Sequence, residues 1–302
     1  MRLVRRWVVF LFPKESDTWL ALFRIGLALS VAFYALSLRS DWNLLFASQG
    51  NGLVSRDLAE AVLSAESPLA PRLGWLVICG SHLGLGEEAI LSMVWFGLCA
   101  AGCLLLLGLF CRPVAILAWF LHLCSVKSGD LFSYGTDNFT TIGLFYLMLC
   151  PFPDRYSLDR LWRRLPEKDP RVHGFYRRVL QLHLCFIYFF GGLAKSLGHG
   201  WWNGTTIWRA LTRPPFNALS ADTIVAWQFA LPLLGIFICA LEIGYPIFIW
   251  PQKTRALWLT FALSMHAAIA FTMGLYLFSF IMIVLNVAAF GPANRRPQPR
   301  PV

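Results

Sequence analysis

The chain has 302 residues, of which 57% are hydrophobic and only 14% are charged, and its mean hydropathy is +0.59. This composition excludes a soluble globular domain and predicts an all-α, polytopic transmembrane helical bundle. The net charge of +10 is accounted for by basic loops on the cytoplasmic side of such a protein, so we expect the lipid bilayer, and no nucleic acid, as its partner.

The chain begins with a short basic and apolar segment. Arg2, Arg5 and Arg6 precede an apolar run that ends at Pro13. Because this run has only about seven residues and no small-residue cleavage site follows it, the pattern favours a retained interfacial segment over a signal peptide.

Eight apolar segments are long enough, or nearly long enough, to cross about 30 Å of hydrocarbon as helices. They lie near residues 18–38, 88–110, 113–127, 138–152, 179–197, 223–250, 256–273 and 275–290. The sixth contains Pro232, Pro246 and two glycines, which predicts a kinked or broken helix. In the polar loop after the first segment, the semi-apolar stretch 73–82 predicts an interfacial or re-entrant helix.

The basic residues predict the orientation of these segments. With the N-terminus in the cytoplasm, 18 of the 26 Lys and Arg residues fall in cytoplasmic segments, seven fall in outer segments and Arg24 lies inside the first span. This asymmetry follows the positive-inside rule and predicts that both termini are cytoplasmic. We expect one membrane domain over residues 1–290 and a disordered cytoplasmic tail over the Pro/Arg-rich stretch 291–302.

Arg24 and Glu242 are predicted to form a structural ion pair inside the membrane. Counted from the ends of their spans, they lie at roughly 10 and 12 Å from the same face. Each charge alone costs about 2.5–3.5 kcal/mol on insertion scales, and contact with the opposite charge offsets that cost. Two alternatives stay open for Glu242: a role in handling substrate or protons, and a protonated, hydrogen-bonded carboxyl.

Three histidines, His122, His183 and His266, fall inside the predicted spans. None has a second ligand at the i+3 or i+4 position, so we expect hydrogen bonds between helices at these residues and no metal site. A neutral imidazole also passes protons on or holds a polar ring, which makes His266 a candidate catalytic residue.

Lys195 lies near the outer end of the fifth span, in the stretch YFFGGLAKSLGHGWWNG at 188–204. One interpretation is a lysine that extends its flexible stem to the water interface. The other is a functional cation in an outward-facing site, where the two preceding glycines allow close approach and the tryptophans form a cap. Asp137 and Asn138 open the fourth span on the same side and complete this candidate site, with Lys195 as a base.

Four segments make the chain similar to a known membrane family. They are LFRIGLAL at 22–29, YGTDNFTTIGLFYLMLCPFPDRYSLDRL at 134–161, YFFGGLAKSLGHGWWNGTTIWRAL at 188–211 and MHAAIAFTMGLYLFSF at 265–280. In this order they resemble the HTTM family, the membrane domain shared with vitamin K-dependent gamma-carboxylase.

The resemblance implies an outward-facing site in a helical bundle. In the carboxylases a lysine of this motif acts as the base toward vitamin K hydroquinone. Their motif has two successive lysines, of which the second carries that role, and here Lys195 takes the first place and Ser196 the second. The residues nominated as catalytic are Lys195, Asp137 and His266, and those nominated as substrate-binding are Asn138, Ser196, His199, Trp201 and Trp202.

The leading hypothesis is an HTTM-like protein of the bacterial inner membrane. We expect an enzyme or maturation factor that acts on a quinol-type lipid or an exported peptide, with a quinone or hydroquinone as its cofactor. A similar small relative, the SdpB type, is associated with maturation of an exported antimicrobial peptide. The alternatives are a transporter or channel for a small solute, which the broken sixth segment and the buried charges favour, and a structural membrane subunit.

Overall fold

The computed structural model describes residues 2–48, 55–164, 166–214 and 218–292, and every regular element in them is helical. The helices in chain order are α1 (Arg2–Leu11), α2 (Thr18–Ser37), α3 (Trp42–Phe46), α4 (Arg56–Glu66), α5 (Leu73–Ser81), α6 (Glu87–Leu107), α7 (Cys111–Ser128), α8 (Gly135–Leu149), α9 (Leu158–Arg163), α10 (Pro170–Ser196), α11 (His199–Trp202), α12 (Thr205–Thr212), α13 (Ala221–Ala226), α14 (Leu231–Phe248), α15 (Gln252–Met273) and α16 (Tyr276–Phe290). Short 3₁₀ turns, Asp130–Phe132 and Gln228–Ala230, precede α8 and α14. The all-α prediction is confirmed for the described residues, and the predicted tail lies outside them from residue 293 onward.

All eight predicted apolar segments coincide with helices. Among the described residues, five helical stretches are long and apolar enough to cross a membrane: α2, α6, α10, α15 and Gln228–Phe248, which contains α14. α8 and α16 have only 15 residues each, and α7 has 18. The helices therefore support an integral membrane protein, whereas the count of eight spans and the cytoplasmic location of both termini stay predictions.

The sixth predicted segment is interrupted before Pro232, whereas its helix continues through Pro246. α13 ends at Ala226, a 3₁₀ turn follows, and α14 begins at Leu231. Pro232 lies in the first turn of α14, where its missing N–H removes no bond from the helix. The stretch 73–82 also forms the helix that was predicted there, α5.

The chain divides into two compact units. The central unit comprises Ala21–Lys168, and the terminal unit comprises Met1–Leu20 together with Asp169–Val302. In the central unit α7 packs on α6 and α8, and α5 packs on α6 and α7. In the terminal unit α10 packs on α14 and α16, α15 packs on α16, and α11 lies against α14. The prediction of a single domain over 1–290 stays a prediction.

A buried arginine joins three segments of the central unit. The Arg24 guanidinium bonds both carboxylate oxygens of Asp154, with Nε 2.7 Å from Oδ2 and Nη2 3.3 Å from Oδ1. Its other N–H groups donate to the carbonyls of Leu105, Leu106 and Tyr156. Both side chains of the pair are fully buried, so the charge and the donors of the guanidinium are satisfied without water.

The predicted ion pair between Arg24 and Glu242 is wrong. Arg24 pairs with Asp154, and Glu242 pairs with Lys195. Counting residues from the end of a span gives the depth of a side chain but not the direction in which it points. The count also leaves out residues such as Asp154, which lies beyond the end of α8 and contacts α2 through its side chain.

A second buried arginine holds the ends of the terminal unit together. The guanidinium of Arg177 donates to the carbonyls of Ala288, Ala289 and Gly291 at 3.1, 3.0 and 2.8 Å, and its Nη1 lies 2.9 Å from Glu15 Oε2. The carbonyls at the end of α16 have no partners within that helix, and they lie at its negative pole. Arg177 therefore caps α16 and fixes it, together with the N-terminal segment, against α10.

Candidate functional site

One face of α10 carries the lysine that the sequence nominated. Tyr188, Gly192 and Lys195 follow one another at spacings of four and three residues, which places them on the same face over two turns, about 10 Å along the axis. Lys195 lies in the last turn of α10, and α10 packs on α14. The groups on α14 therefore decide what surrounds the lysine.

Lys195 forms an ion pair with Glu242 of α14. Its Nζ lies 2.7 Å from Glu242 Oε2. The glutamate side chain is only 8% exposed, whereas the lysine side chain is 29% exposed. The pair thus has one buried member and one that reaches the surface of the unit, and its short charge-assisted bond joins an ammonium to a carboxylate.

Trp201 of α11 lies beside this ion pair. Lys195 Nζ is 5.6 Å from the centroid of the indole ring, within the range of cation–π attraction. α11 approaches α14 closely because Gly235 has no side chain, and a Cβ there would overlap the carbonyl oxygen of Trp201. The structure thus brings together Lys195 and Trp201, both nominated from the sequence, with Glu242.

The other residues nominated from this motif bond elsewhere. Ser196 Oγ donates to the Leu193 carbonyl at 2.8 Å, and Trp202 Nε1 donates to the Ser196 carbonyl at 2.7 Å. His199 is exposed at the start of α11. None of these bonds involves Lys195 or Glu242, and a substrate-binding role for Ser196, His199 and Trp202 stays a prediction.

A buried hydrogen-bonded network lies deeper in the terminal unit. Tyr188 Oη lies 2.7 Å from His266 Nε2 and accepts from Asn286 Nδ2 at 2.8 Å. Tyr245 donates from its hydroxyl to Asn286 Oδ1 at 2.7 Å, and its ring stacks on that of Tyr188 at 4.1 Å. His266 Nδ1 has no hydrogen-bond partner within the described part of the chain. The network joins α10, α14, α15 and α16 through neutral groups.

The ion pair and the network are built on the same two helices. Lys195 and Tyr188 lie on α10, and Glu242 and Tyr245 lie on α14. Together they form the candidate site, which we define as Lys195, Glu242, Trp201, Tyr188, His266, Asn286 and Tyr245. The residues that the structure describes contain no group of three or more His, Cys, Asp or Glu side chains that could hold a metal ion.

Asp137 and Asn138 lie in the central unit, at the start of α8. Asp137 is buried and accepts a hydrogen bond from the Tyr134 backbone at 2.9 Å, which caps the helix. Partial burial, aided by the Asp137 charge, raises the pKa of the Tyr134 phenol. Asn138 is exposed. A catalytic role for Asp137 and a substrate-binding role for Asn138 stay predictions.

Sequence reasoning missed the partners of the nominated residues. Tyr188 and Lys195 share a helix face at i and i+7, and Glu242 and Tyr245 share one at i and i+3. This spacing in the sequence could have shown that each pair faces the same neighbour. Asn286 is an amide in a mostly apolar helix, and a polar group at such a position indicates a functional site or a contact between helices.

Gly192→Ala is expected to destabilise the protein by about 1–3 kcal/mol, because it overpacks the contact between α10 and α14. A Cβ at Gly192 would lie 2.8 Å from both Glu242 Cβ and the backbone nitrogen of Ile243. The neighbouring Gly191 is a matched control, since its Cβ would lie 3.4 Å from Glu242 Oε2, an ordinary contact. Thermal unfolding in detergent measures both, and equal melting temperatures for the two variants would contradict the expectation.

The family of the chain follows from a comparison with protein-family models. The model described as HTTM domain matches residues 82–293, which is more than half of the chain. The chain belongs to the HTTM family. The HTTM match includes α6 to α16 and with them Lys195, Glu242 and His266. It confirms the resemblance, and three of the four segments that suggested it lie inside the match, whereas the segment 22–29 lies before it. No curated protein and no solved structure matches the chain.

Proposed function

We propose that this HTTM protein is an integral membrane enzyme of the bacterial inner membrane that deprotonates a quinol-type lipid at its outer face. The observation that carries the proposal is the ion pair between Lys195 and Glu242, at 2.7 Å, with a buried carboxylate and a partly exposed ammonium. The substrate class comes from the resemblance to the carboxylases, and the orientation comes from the placement of 18 of the 26 basic residues in the predicted cytoplasmic segments.

Glu242 and Lys195 have different roles in the proposed removal of a proton. An ammonium accepts no proton, so the Glu242 carboxylate takes the proton as the O–H bond of the substrate breaks. The electron pair stays on the substrate oxygen, and the Lys195 ammonium stabilises the resulting oxyanion. Such stabilisation is stronger where there is little water, and of the two side chains Glu242, which is 8% exposed, lies in such surroundings.

Trp201 is proposed to bind the substrate ring. Its indole lies next to the ammonium, and an aromatic substrate that stacks on it would bring its hydroxyl close to the ion pair. An exported peptide remains the second substrate class that the resemblance implies. The transporter and structural-subunit alternatives stay predictions.

Quinol binding is expected to stabilise the purified protein. At a ligand concentration of about 100 Kd, binding stabilises the folded state by about 2.7 kcal/mol, which raises Tm by several degrees. We would extract the purified protein for co-purified quinone and measure Tm with a short-chain quinol and with its dimethyl ether, which has no hydroxyl to deprotonate. The proposal predicts a rise with the quinol and a smaller one with the ether. Absence of extracted quinone together with an unchanged Tm would overturn it.

A further inference from the structure

Asn286 is a fully buried amide whose orientation is fixed by its surroundings. One end of its side chain lies 2.8 Å from the Met282 carbonyl, which can only accept a hydrogen bond. That end is therefore the nitrogen Nδ2, and the oxygen Oδ1 faces the hydroxyl of Tyr245 at 2.7 Å. Reversing the amide would place two acceptors against each other at the Met282 carbonyl.

The fixed amide determines where the proton of Tyr188 points. Asn286 Nδ2 also donates to Tyr188 Oη at 2.8 Å, so this oxygen acts as an acceptor on that side. The hydroxyl proton is left for His266 Nε2, 2.7 Å away. If Nε2 carried the proton instead, the buried hydroxyl of Tyr188 would have no acceptor, which is costly where water is excluded.

We infer that Asn286 and Tyr188 hold His266 as the tautomer with its proton on Nδ1, so that His266 offers an N–H donor to an oxygen of the substrate. Nδ1 is buried and has no hydrogen-bond partner within the described residues. The role toward substrate rests on the proposed function, whereas the tautomer does not. Asn286 is then a positioning residue that acts through Tyr188.

This arrangement restricts the chemistry that the site recognises. A neutral imidazole with its proton on Nδ1 and Nε2 occupied by a phenol has no free lone pair, so it binds neither a metal ion nor the proton of a substrate at that nitrogen. It recognises a carbonyl, ether or hydroxyl oxygen. The stacking of Tyr245 on Tyr188 at 4.1 Å holds the phenol in place for this purpose.

Nitrogen NMR of protein labelled with ¹⁵N-histidine reads the tautomer without any substrate. The chain has six histidines, and a His266→Gln sample assigns the resonances of His266. At neutral pH we expect Nδ1 protonated and Nε2 unprotonated, with a population ratio of at least about tenfold. A ring protonated on Nε2, or on both nitrogens, overturns the inference.

Two variants and a matched control separate positioning from general disruption. Asn286→Asp places an acceptor beside the Tyr188 hydroxyl, so its proton can leave Nε2 and the tautomer ratio is expected to fall by about tenfold. Tyr188→Phe removes the hydroxyl and gives the same loss if Asn286→Asp does not fold. Tyr245→Phe is the control, because the Met282 carbonyl still fixes the amide, and the ratio should stay as in the wild type. An unchanged ratio in folded Asn286→Asp contradicts the inference.

Addition of the short-chain quinol tests the substrate part of the inference. The Nδ1 resonance is expected to shift, while Nε2 stays bonded to Tyr188. Quinol that raises Tm without shifting Nδ1 would overturn the donor role of His266 and leave the proposed function standing. Quinol that does neither overturns the proposed function, whereas the tautomer measured without ligand is unaffected.

Discussion

Asp154→Asn is expected to destabilise the protein by about 3–5 kcal/mol, because it leaves a buried arginine without its charged partner. The substitution keeps the shape of the side chain but removes the charge that the Arg24 guanidinium contacts at 2.7 Å. Both side chains are fully buried, so the guanidinium cannot replace the lost partner with water. Thermal unfolding in detergent, with the yield of folded protein, measures the loss.

The partner substitution and a double variant show whether the charges act as a pair. Arg24→Met should cost a similar amount, because it leaves the Asp154 carboxylate unpaired and the carbonyls of Leu105, Leu106 and Tyr156 without their donor. Arg24→Met with Asp154→Leu removes both charges and should recover part of the loss. Arg39→Gln, at an exposed arginine, is the control for loss of a positive charge. A double variant less stable than either single one would contradict pairing.

The positions of the helices could be predicted from the sequence because a membrane span needs a long apolar run. The boundary between α15 and α16 is an example of a helix end that the sequence predicts. The predicted segments were separated by little more than Gly274. In the structure α15 ends at Met273 and Gly274 caps it, with a left-handed φ of 69° that suits glycine. Composition and breaker residues were therefore sufficient for the order of the long apolar helices but not for all their limits, since α10 begins at Pro170, nine residues before the predicted segment.

The pairing of the buried charges could not be predicted in the same way. Apolar runs fix the depth of Arg24 and Glu242, but the rotation of each helix is set by packing around close-contact residues such as Gly192. The partner of Arg24 lies beyond the end of α8, where no helical spacing applies. Lys195 and Glu242 were each nominated from the sequence, but only the packing of α10 on α14 shows that they form an ion pair.

Lys195 and Glu242 are expected to respond unequally to substitution. Lys195→Met leaves a carboxylate that is only 8% exposed without its partner and should cost about 3 kcal/mol. Glu242→Gln leaves an ammonium that is 29% exposed and can reach water, so it should cost about 1 kcal/mol. Melting temperatures without ligand measure both, and a larger loss for Glu242→Gln would contradict this assignment of buried and exposed partners.

The quinol-induced rise in Tm then separates stability from function at the same pair. The Glu242→Gln variant lacks the carboxylate base, and the Lys195→Met variant lacks the cation that stabilises the oxyanion. Both should therefore lose the quinol-induced rise in Tm, even though Glu242→Gln stays well folded. Lys195→Met with Glu242→Leu should recover stability and still fail to respond, because an apolar pair joins α10 to α14 but neither removes a proton nor holds an anion. If this double variant were stabilised by the quinol as strongly as the wild type, the ion pair would serve only to join the two helices.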